Sequence, residues 1–393
     1  MRILFINTLY PPDIGGGAEI ILKAQVEAFR VRGHKVSVIT LGKTSEEDEV
    51  DGIKIHRVKI NNIYFHYPRR AIALPKKFVW HIIDSFFGKY NEVKGIIDDF
   101  EPDIVSCHNL VGFGVGILDE LARSRTKTVL TLHDQYLLCA RSNMFREGCV
   151  CERQCADCKI LRVSYRRKVA QLDGVVGVSN FILDKLSKLG YFREVPRKTV
   201  IHNPPYAKLL DAITKVSPSK IVKFGYLGTI AASKGIELLL EEISKLECDF
   251  TLIVAGSGEG DYVERLKSKY ANDRIKFIGY VSAADFYQCV ECVIVPSIWE
   301  DTFPGVAQEA IAGGRAVIGS RRGGIPEIVI DKVNGILFDP NVAGSLQEAM
   351  HSYIANRSFW LSKLLPLSKS EVDRMGDHWV KELEDFYQEV IKE

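Results

Sequence analysis

No stretch of this chain stays apolar for the ~18–20 residues that crossing a bilayer requires. Net charge is nearly absent too: 52 Lys and Arg against 50 Asp and Glu leave +2. That is too little for the basic footprint through which proteins hold nucleic acid, so no nucleic acid is expected as a partner. The start does not read as a secretory leader, because Met1-Arg2 is followed by only Ile3-Leu4-Phe5-Ile6 before Asn7 and by no small-residue cleavage site. The apolar tetrad reads as a buried first strand, and the protein as cytoplasmic. Short-period repeats and low-complexity tracts are lacking, which sets repeat architectures aside.

What is present is an ordinary globular balance, 46% hydrophobic and 26% charged. At 393 residues the chain is too long for one core and suits two domains. Cysteine is unevenly spread: five of the nine crowd into residues 139–158. In a reducing compartment such crowding points to a metal more than to disulfides.

Strand and helix alternate through the first half. Ile3–Ile6 runs into a Pro/Gly loop, a helix is predicted from about Glu19 to Arg32, and Gly33 ends it. Val36–Thr40, Ile104–Cys107, Thr128–Leu132 and Val175–Val178 are the next strand candidates. Short apolar strands separated by helices imply a parallel sheet covered on both faces. The pattern breaks near Val200–Pro205, and a polar stretch runs to about Lys220. A second series then begins: Val222–Leu227, Thr251–Ala255, Ile275–Ile278, Cys292–Val295 and Ala316–Gly319. The restart implies a second doubly wound domain. Lys369–Lys392 reads as a closing helix with Val372, Trp379, Leu383 and Phe386 on one side. The expected division is 1–203, with a Cys-rich insertion at about 139–158, then 204–368, then a helix over 369–393 crossing back to the first domain. Ligands in sheets of this kind bind at the carboxyl ends of the strands, here in a cleft between two facing domains.

Three segments carry chemistry. Gly15-Gly16-Gly17-Ala18-Glu19 follows the first strand and opens a helix, where missing side chains and free amides suit an anion or a sugar face, although any turn uses glycine. Ser233-Lys234-Gly235 lies between a strand and a helix, where an ammonium could neutralise a diphosphate; alone it would read as a surface lysine. The most informative segment is Trp299-Glu300-Asp301-Thr302-Phe303-Pro304-Gly305-Val306-Ala307-Gln308-Glu309. Asp301 and Glu309 stand eight positions apart across a turn into a helix. Glu309 falls in an apolar face beside Val306, Ala310 and Ile311, where an unpaired charge is costly, so it needs a partner.

With Arg32-Gly33-His34, Leu132-His133-Asp134, His202-Asn203, Gly256-Ser257-Gly258, Gly323-Gly324-Ile325-Pro326-Glu327 and Asn334-Gly335, these segments form an ordered set over nearly the whole chain. In this the sequence resembles the retaining glycosyltransferases of family four. The resemblance implies the α/β fold called GT-B, two Rossmann-like domains, and transfer of a sugar from a nucleoside-diphosphate sugar to an acceptor hydroxyl of a glycan, a lipid-linked precursor or a polysaccharide. It implies that Glu309 binds the donor ribose, that Lys234 binds the diphosphate, and that Asp301, Phe303, Pro304 and the amides of Gly305 and Val306 hold sugar and phosphates. His133 would contact the sugar near the reacting carbon, and Gly16 and Gly17 would face phosphate and acceptor. The family retains the anomeric configuration without a catalytic cofactor or divalent ion; the leaving diphosphate itself helps to deprotonate the acceptor. Two positions depart from the pattern. Thr229 stands where the family usually has an arginine beside the lysine, for which Arg321 or Arg322 are candidate replacements, and Asp301 stands where it usually has Glu. Thr229 is the feature that keeps a second reading in view, a nucleotide-sugar-binding protein with little or no turnover.

Some relatives resemble this chain in carrying a Cys-rich insertion after the His-Asp segment. A structural zinc held by Cys139, Cys149, Cys155 and Cys158, with Cys151 as the alternative ligand, is the expectation. Cys289 and Cys292 read as core. The stretch Asn61–Phe87 interleaves Tyr64, Phe65, Tyr67, Phe78 and Trp80 with Arg69, Arg70, Lys76 and Lys77. Aromatic faces there suit an acceptor sugar, and the basic residues suit phosphate or peripheral contact with an anionic membrane face.

Overall fold

A computed structural model describes residues 1–67, 72–205, 215 and 219–392. The chain forms two compact units. One comprises Met1–Asn143, Arg153–His202 and His378–Glu393, the other Met144–Glu152 and Asn203–Asp377.

The first unit is built on the strands β1 (Arg2–Ile6), β2 (Lys35–Gly42), β3 (Glu46–Val50), β4 (Ile53–Lys59), β5 (Ile104–Cys107), β6 (Lys127–Leu132), β9 (Gly174–Gly177) and β10 (Arg197–Val200). The short strands β7 (Phe145–Arg146) and β8 (Cys149–Val150) pair only with each other. The sheet order is β10-β9-β6-β5-β1-β2-β4-β3, parallel throughout except that β3 runs antiparallel to β4. The apolar strands fall where their composition puts them. β3 does not follow that rule: Glu46-Glu47-Asp48-Glu49 is an exposed acidic edge, the kind of strand whose charge blocks further pairing. Periodicity is silent about such a strand.

The helix Gly17–Val31 buries Leu22, Gln25, Val26 and Phe29, a three-to-four spacing that turns one face to the sheet. The helix Lys369–Ile391 contributes Val372 to the core of the second unit, while Trp379, Val380, Leu383, Phe386, Tyr387 and Val390 join the core of the first. Phe29 and Tyr387 stack there at 5.5 Å with 6° between planes.

The second unit has six parallel strands, β11 (Val222–Leu227), β12 (Phe250–Ala255), β13 (Ile275–Gly279), β14 (Cys292–Val295), β15 (Ala316–Ser320) and β16 (Gly335–Phe338), in the order β13-β12-β11-β14-β15-β16. Two apolar clusters flank this sheet, one around Phe224, Leu239 and Tyr353, the other around Tyr287, Val293 and Ala310. Cys292 is buried, but Cys289 is exposed at the end of its helix and is not core. Among the described residues no helix is long and apolar enough to cross a membrane.

Candidate functional site

In each sheet the order of strands reverses beside the first strand of the unit, and in sheets of this kind ligands bind at the carboxyl ends of the strands at that point. In the second unit the point lies between β11 and β14. Beyond β11 a turn of 3-10 helix, Ala232–Lys234, delivers Lys234 just before the helix Ile236–Ile243. Gly235 has φ +72°, and a Cβ there would fall 1.8 Å from the Pro296 carbonyl oxygen, so only glycine lets this turn lie against the end of β14. Lys234 Nζ meets Asp301 Oδ2 at 2.5 Å and sits 4.9 Å from the Trp299 ring centroid. Ser297 Oγ lies 3.5 Å from the same carboxylate oxygen. Asp301 is buried and Lys234 half-buried. The backbone of Asp301 is gripped by the loop after β15: the Gly324 N–H donates to the Asp301 carbonyl at 2.7 Å. Gly323, at φ +57°, would place a Cβ 2.0 Å from that oxygen. Three loops, following β11, β14 and β15, thus converge on one ion pair.

Glu309 stands on the helix Gly305–Ala312, which Pro304 caps. Its partner is Tyr287, whose hydroxyl lies 3.0 Å from Glu309 Oε2 and 3.1 Å from the Val306 carbonyl oxygen. A phenol has one proton. If it goes to the Val306 carbonyl, the bond to Glu309 is satisfied only by a protonated carboxyl; if it goes to Glu309, the carboxyl accepts and can be ionised. Burial pushes Glu309 up to about 7, and the Tyr287 hydrogen bond opposes the rise. The carboxyl is therefore poised at neutrality in the ligand-free protein, not permanently charged, and its Oε1 has no hydrogen-bond partner among the described residues. Tyr287 carries no signal in the sequence. It is 22 positions from Glu309 and belongs to another helix.

The remaining candidates of this unit are spread around the pair. Phe303 is half-buried against the cluster containing Tyr287 and Val293, Pro304 is buried, and Gly305 and Val306 supply the first helical amides, which have no carbonyl partner within their own helix. Thr229 is exposed, and its carbonyl accepts from the Tyr226 hydroxyl at 2.7 Å. Arg321 pairs with Asp331 at 3.0 Å and Arg322 donates to Asn341 at 2.5 Å. Both guanidinium groups are engaged with neighbouring loops.

In the first unit the reversal lies between β1 and β5. His133 follows β6 and His108 follows β5. Their rings stack with centroids 5.1 Å apart, and His133 Nε2 meets His108 Nδ1 at 2.8 Å. Burial lowers His133 to about 4, and burial together with the His133 ring holds His108 well below the usual imidazole range, so both rings are neutral at physiological pH. The glycine loop is less available than its composition suggests. The Gly16 N–H donates to Glu19 Oε2 at 2.7 Å, so this amide serves its own helix start, whereas Gly17 leaves open space where a side chain would be. His108 is not singled out in the sequence, where its one signal is a polar residue just past a buried strand; Glu19 enters only as a member of the loop motif.

The expected zinc centre is not assembled. Cys139, Cys155 and Cys158 belong to the first unit and Cys149 and Cys151 to the second. The Sγ atoms of Cys139 and Cys158 lie 3.9 Å apart, and among the described residues no group of three or more His, Cys, Asp or Glu side chains is gathered to hold a metal. Close spacing in sequence put candidates near one another but did not fix where their sulfurs point.

Comparison with known proteins bears on the same segments. The model of Glycosyltransferase Family 4 matches residues 15–204, and that of Glycosyl transferases group 1 matches residues 221–356. An uncharacterized glycosyltransferase of Methanocaldococcus jannaschii is 27% identical over 91% of this chain and 90% of its own. Among solved structures, sucrose-phosphate synthase from Thermosynechococcus elongatus superposes with a TM-score of 0.77 at 18% identity, covering 100% of this chain and 99% of that one. HepE of Anabaena in complex with UDP and glucose gives 0.69 at 18% identity over 98% of both chains. The two parallel-sheet units are those of the GT-B fold. With both of its halves matched in order by the family models, the chain is an enzyme of the group 1, family 4 glycosyltransferases.

Proposed function

We propose that the protein transfers a sugar, with retention of anomeric configuration, from a nucleoside-diphosphate sugar to a hydroxyl of a glycan or lipid-linked acceptor. The observation that carries this reading is the Lys234–Asp301 pair at the strand reversal of the second sheet, with Glu309 on the helix that the Asp301 loop leads into. Glu309 Oε1 and Oε2 accept from the ribose hydroxyls once the carboxyl ionises. Lys234 leaves Asp301 for the diphosphate, and the first amides of the helix Gly305–Ala312 share the remaining negative charge. Asp301, released, accepts from hydroxyls of the donor sugar, and His133 is the residue we assign to the contact near the reacting carbon. Catalysis is then positioning together with stabilisation of the leaving diphosphate, which takes the acceptor proton. That a neighbour of the same fold was solved with UDP and glucose supports this class of donor.

Thr229 favours a second reading, a nucleotide-sugar-binding protein with little or no turnover, because it brings no charge to the diphosphate where the family usually has an arginine. One experiment separates the two. A panel of nucleotide sugars is incubated with the protein, and nucleoside diphosphate release is followed together with the anomeric proton coupling of any product. Release with a retained anomer is expected for one donor. Tight binding without release over many hours favours the second reading, and an inverted product overturns retention.

The reading extends to peripheral contact with an anionic membrane face at the inner side of the membrane. On the helix Leu74–Phe86, Lys76, Lys77, Phe78 and Val79 are exposed, and Phe86 and Phe87 project at its end. Arg69 and Arg70 lie outside the described residues. Co-sedimentation with vesicles containing anionic phospholipid is expected for the parent and to fall several-fold when Lys76→Glu and Lys77→Glu are combined. Equal sedimentation of the two proteins removes the membrane from this account.

A further inference from the structure

A continuous buried hydrogen-bonded chain leads away from His133 inside the first unit. His133 Nε2 meets His108 Nδ1 at 2.8 Å, His108 Nε2 meets Ser106 Oγ at 3.1 Å, Ser106 Oγ meets the Tyr387 hydroxyl at 2.6 Å, and Gln25 Nε2 donates to that hydroxyl at 2.9 Å. Gln25, Ser106, His108 and Tyr387 are all buried, and none carries a net charge in this setting. The chain draws on four distant parts of the sequence: the first helix, the ends of β5 and β6, and the helix Lys369–Ile391.

From this geometry we propose that Gln25, Tyr387, Ser106 and His108 form a relay of fixed polarity that holds His133 in the single neutral tautomer protonated on Nδ1. The polarity follows from proton counting. An amide nitrogen can only donate, so the Tyr387 oxygen accepts from Gln25; a buried phenol proton left without an acceptor is costly, and Ser106 Oγ at 2.6 Å is the acceptor that takes it. Ser106 then gives its proton to His108 Nε2, which must be bare. A neutral His108 therefore carries its proton on Nδ1 and donates it to His133 Nε2, and His133, neutral as well, keeps its proton on Nδ1. The burial that lowers both imidazoles removes the doubly protonated form that would let either ring escape the rule.

The consequence rests on the reading that His133 meets the donor sugar. A ring fixed this way carries a hydrogen-bond donor at Nδ1 and never an acceptor, so a contact between the sugar and that atom is one in which the ring donates. Tyr387 and Gln25 are positioning residues far from any sugar. They also give the helix Lys369–Ile391 a polar task beyond packing, since Tyr387 is the member that spans 281 positions to reach Ser106.

The test has a spectroscopic arm and a kinetic arm. Long-range proton–nitrogen spectra of the intact protein labelled with nitrogen-15 histidine are expected to show His108 and His133 each protonated on Nδ1 with a bare Nε2. A protonated Nε2 on His133 overturns the relay whatever the activity. Tyr387→Phe keeps the ring that stacks on Phe29 and removes only the hydroxyl; Ser106→Ala cuts the chain one step closer. Each is expected to mix the His133 tautomers and lower kcat about 10-fold with donor KM within twofold, and the double variant should be no worse than the poorer single one. Multiplying losses mark separate packing defects and overturn the proposal. If the spectra show the fixed tautomers while His133→Ala turns over like the parent, it is the placement of His133 at the sugar that fails, and the relay loses its bearing on transfer.

Discussion

Lys234→Ala is expected to lower kcat/KM about 10²–10³-fold, the cost of removing one preorganised group that stabilises charge in the transition state. The expectation is at the upper part of this range because Thr229 brings no charge to the position where the family usually has an arginine, and Arg321 and Arg322 are engaged with Asp331 and Asn341. The substitution also strands a buried carboxylate, Asp301, that now rests 2.5 Å from the ammonium. Asp301→Asn separates the two roles of the pair. In the ligand-free protein Asp301 competes with the diphosphate for Lys234, so the amide should bind nucleoside diphosphate more tightly, by about 10-fold for a charge-assisted bond given up. Turnover should nevertheless fall, because the sugar loses a carboxylate acceptor. Isothermal titration with nucleoside diphosphate and steady-state kinetics read the opposite signs. Lys234→Ala within threefold of the parent, or Asp301→Asn weakening the nucleotide, would remove the ion pair from the donor site.

The second large effect concerns Glu309 and is visible in stability as well as in binding. Burial raises the carboxyl from 4.5 to about 7. A raised carboxyl means that the folded protein binds a proton the unfolded chain has already released. Its contribution to stability is whole below the ordinary carboxylate value and is lost as pH rises through about 7. At pH 8 the ionised, half-buried group costs up to about 3 kcal/mol. Glu309→Gln should therefore raise the unfolding temperature of the ligand-free protein at pH 8 and change it little at pH 4. The same variant should weaken nucleotide-sugar binding 10- to 100-fold, since bonds from ribose hydroxyls to a charge exceed those to an amide. It should also abolish the strengthening of donor binding with pH between 6 and 8 that an ionising acceptor imposes. Thermal scans at the two pH values, with and without donor, carry the comparison. A variant less stable than the parent at pH 8, or one with unchanged donor affinity, would contradict the role given to Glu309. Here stability is given up at a functional position, the pattern expected where a binding site needs a charge that the fold alone disfavours.

How much of this could be read from residues alone varies with the range of the interaction. Strands such as Ile104–Cys107 and Cys292–Val295 were legible because an apolar run in an alternating chain has one stable destination, the middle of a covered sheet. The helix Gly17–Val31 was legible to within two residues through the spacing of Leu22, Val26 and Phe29. Glu309 announced itself as an acid in an apolar face that needed a partner. Lys234 and Asp301 could be placed in loops after strands, and the loops after successive parallel strands meet at one edge by topology.

The identity of each partner was decided in three dimensions. Nothing near Glu309 in the sequence names Tyr287, and nothing near His133 names Tyr387, because these contacts join segments whose approach is set by how whole elements pack. The acidic strand Glu46–Val50 formed because β4 offered it an open edge, not because its own residues favour burial. The cysteines show the converse: proximity along the chain suggested a tetrahedral site, but metal ligation depends on the direction of four side chains, which spacing does not encode. By itself the sequence determined which residues are buried and which loops gather at the strand ends, since burial follows local patterning. Tertiary structure alone decided which polar groups face one another inside, because a hydrogen bond is fixed by ångström-scale geometry between residues that can be hundreds of positions apart.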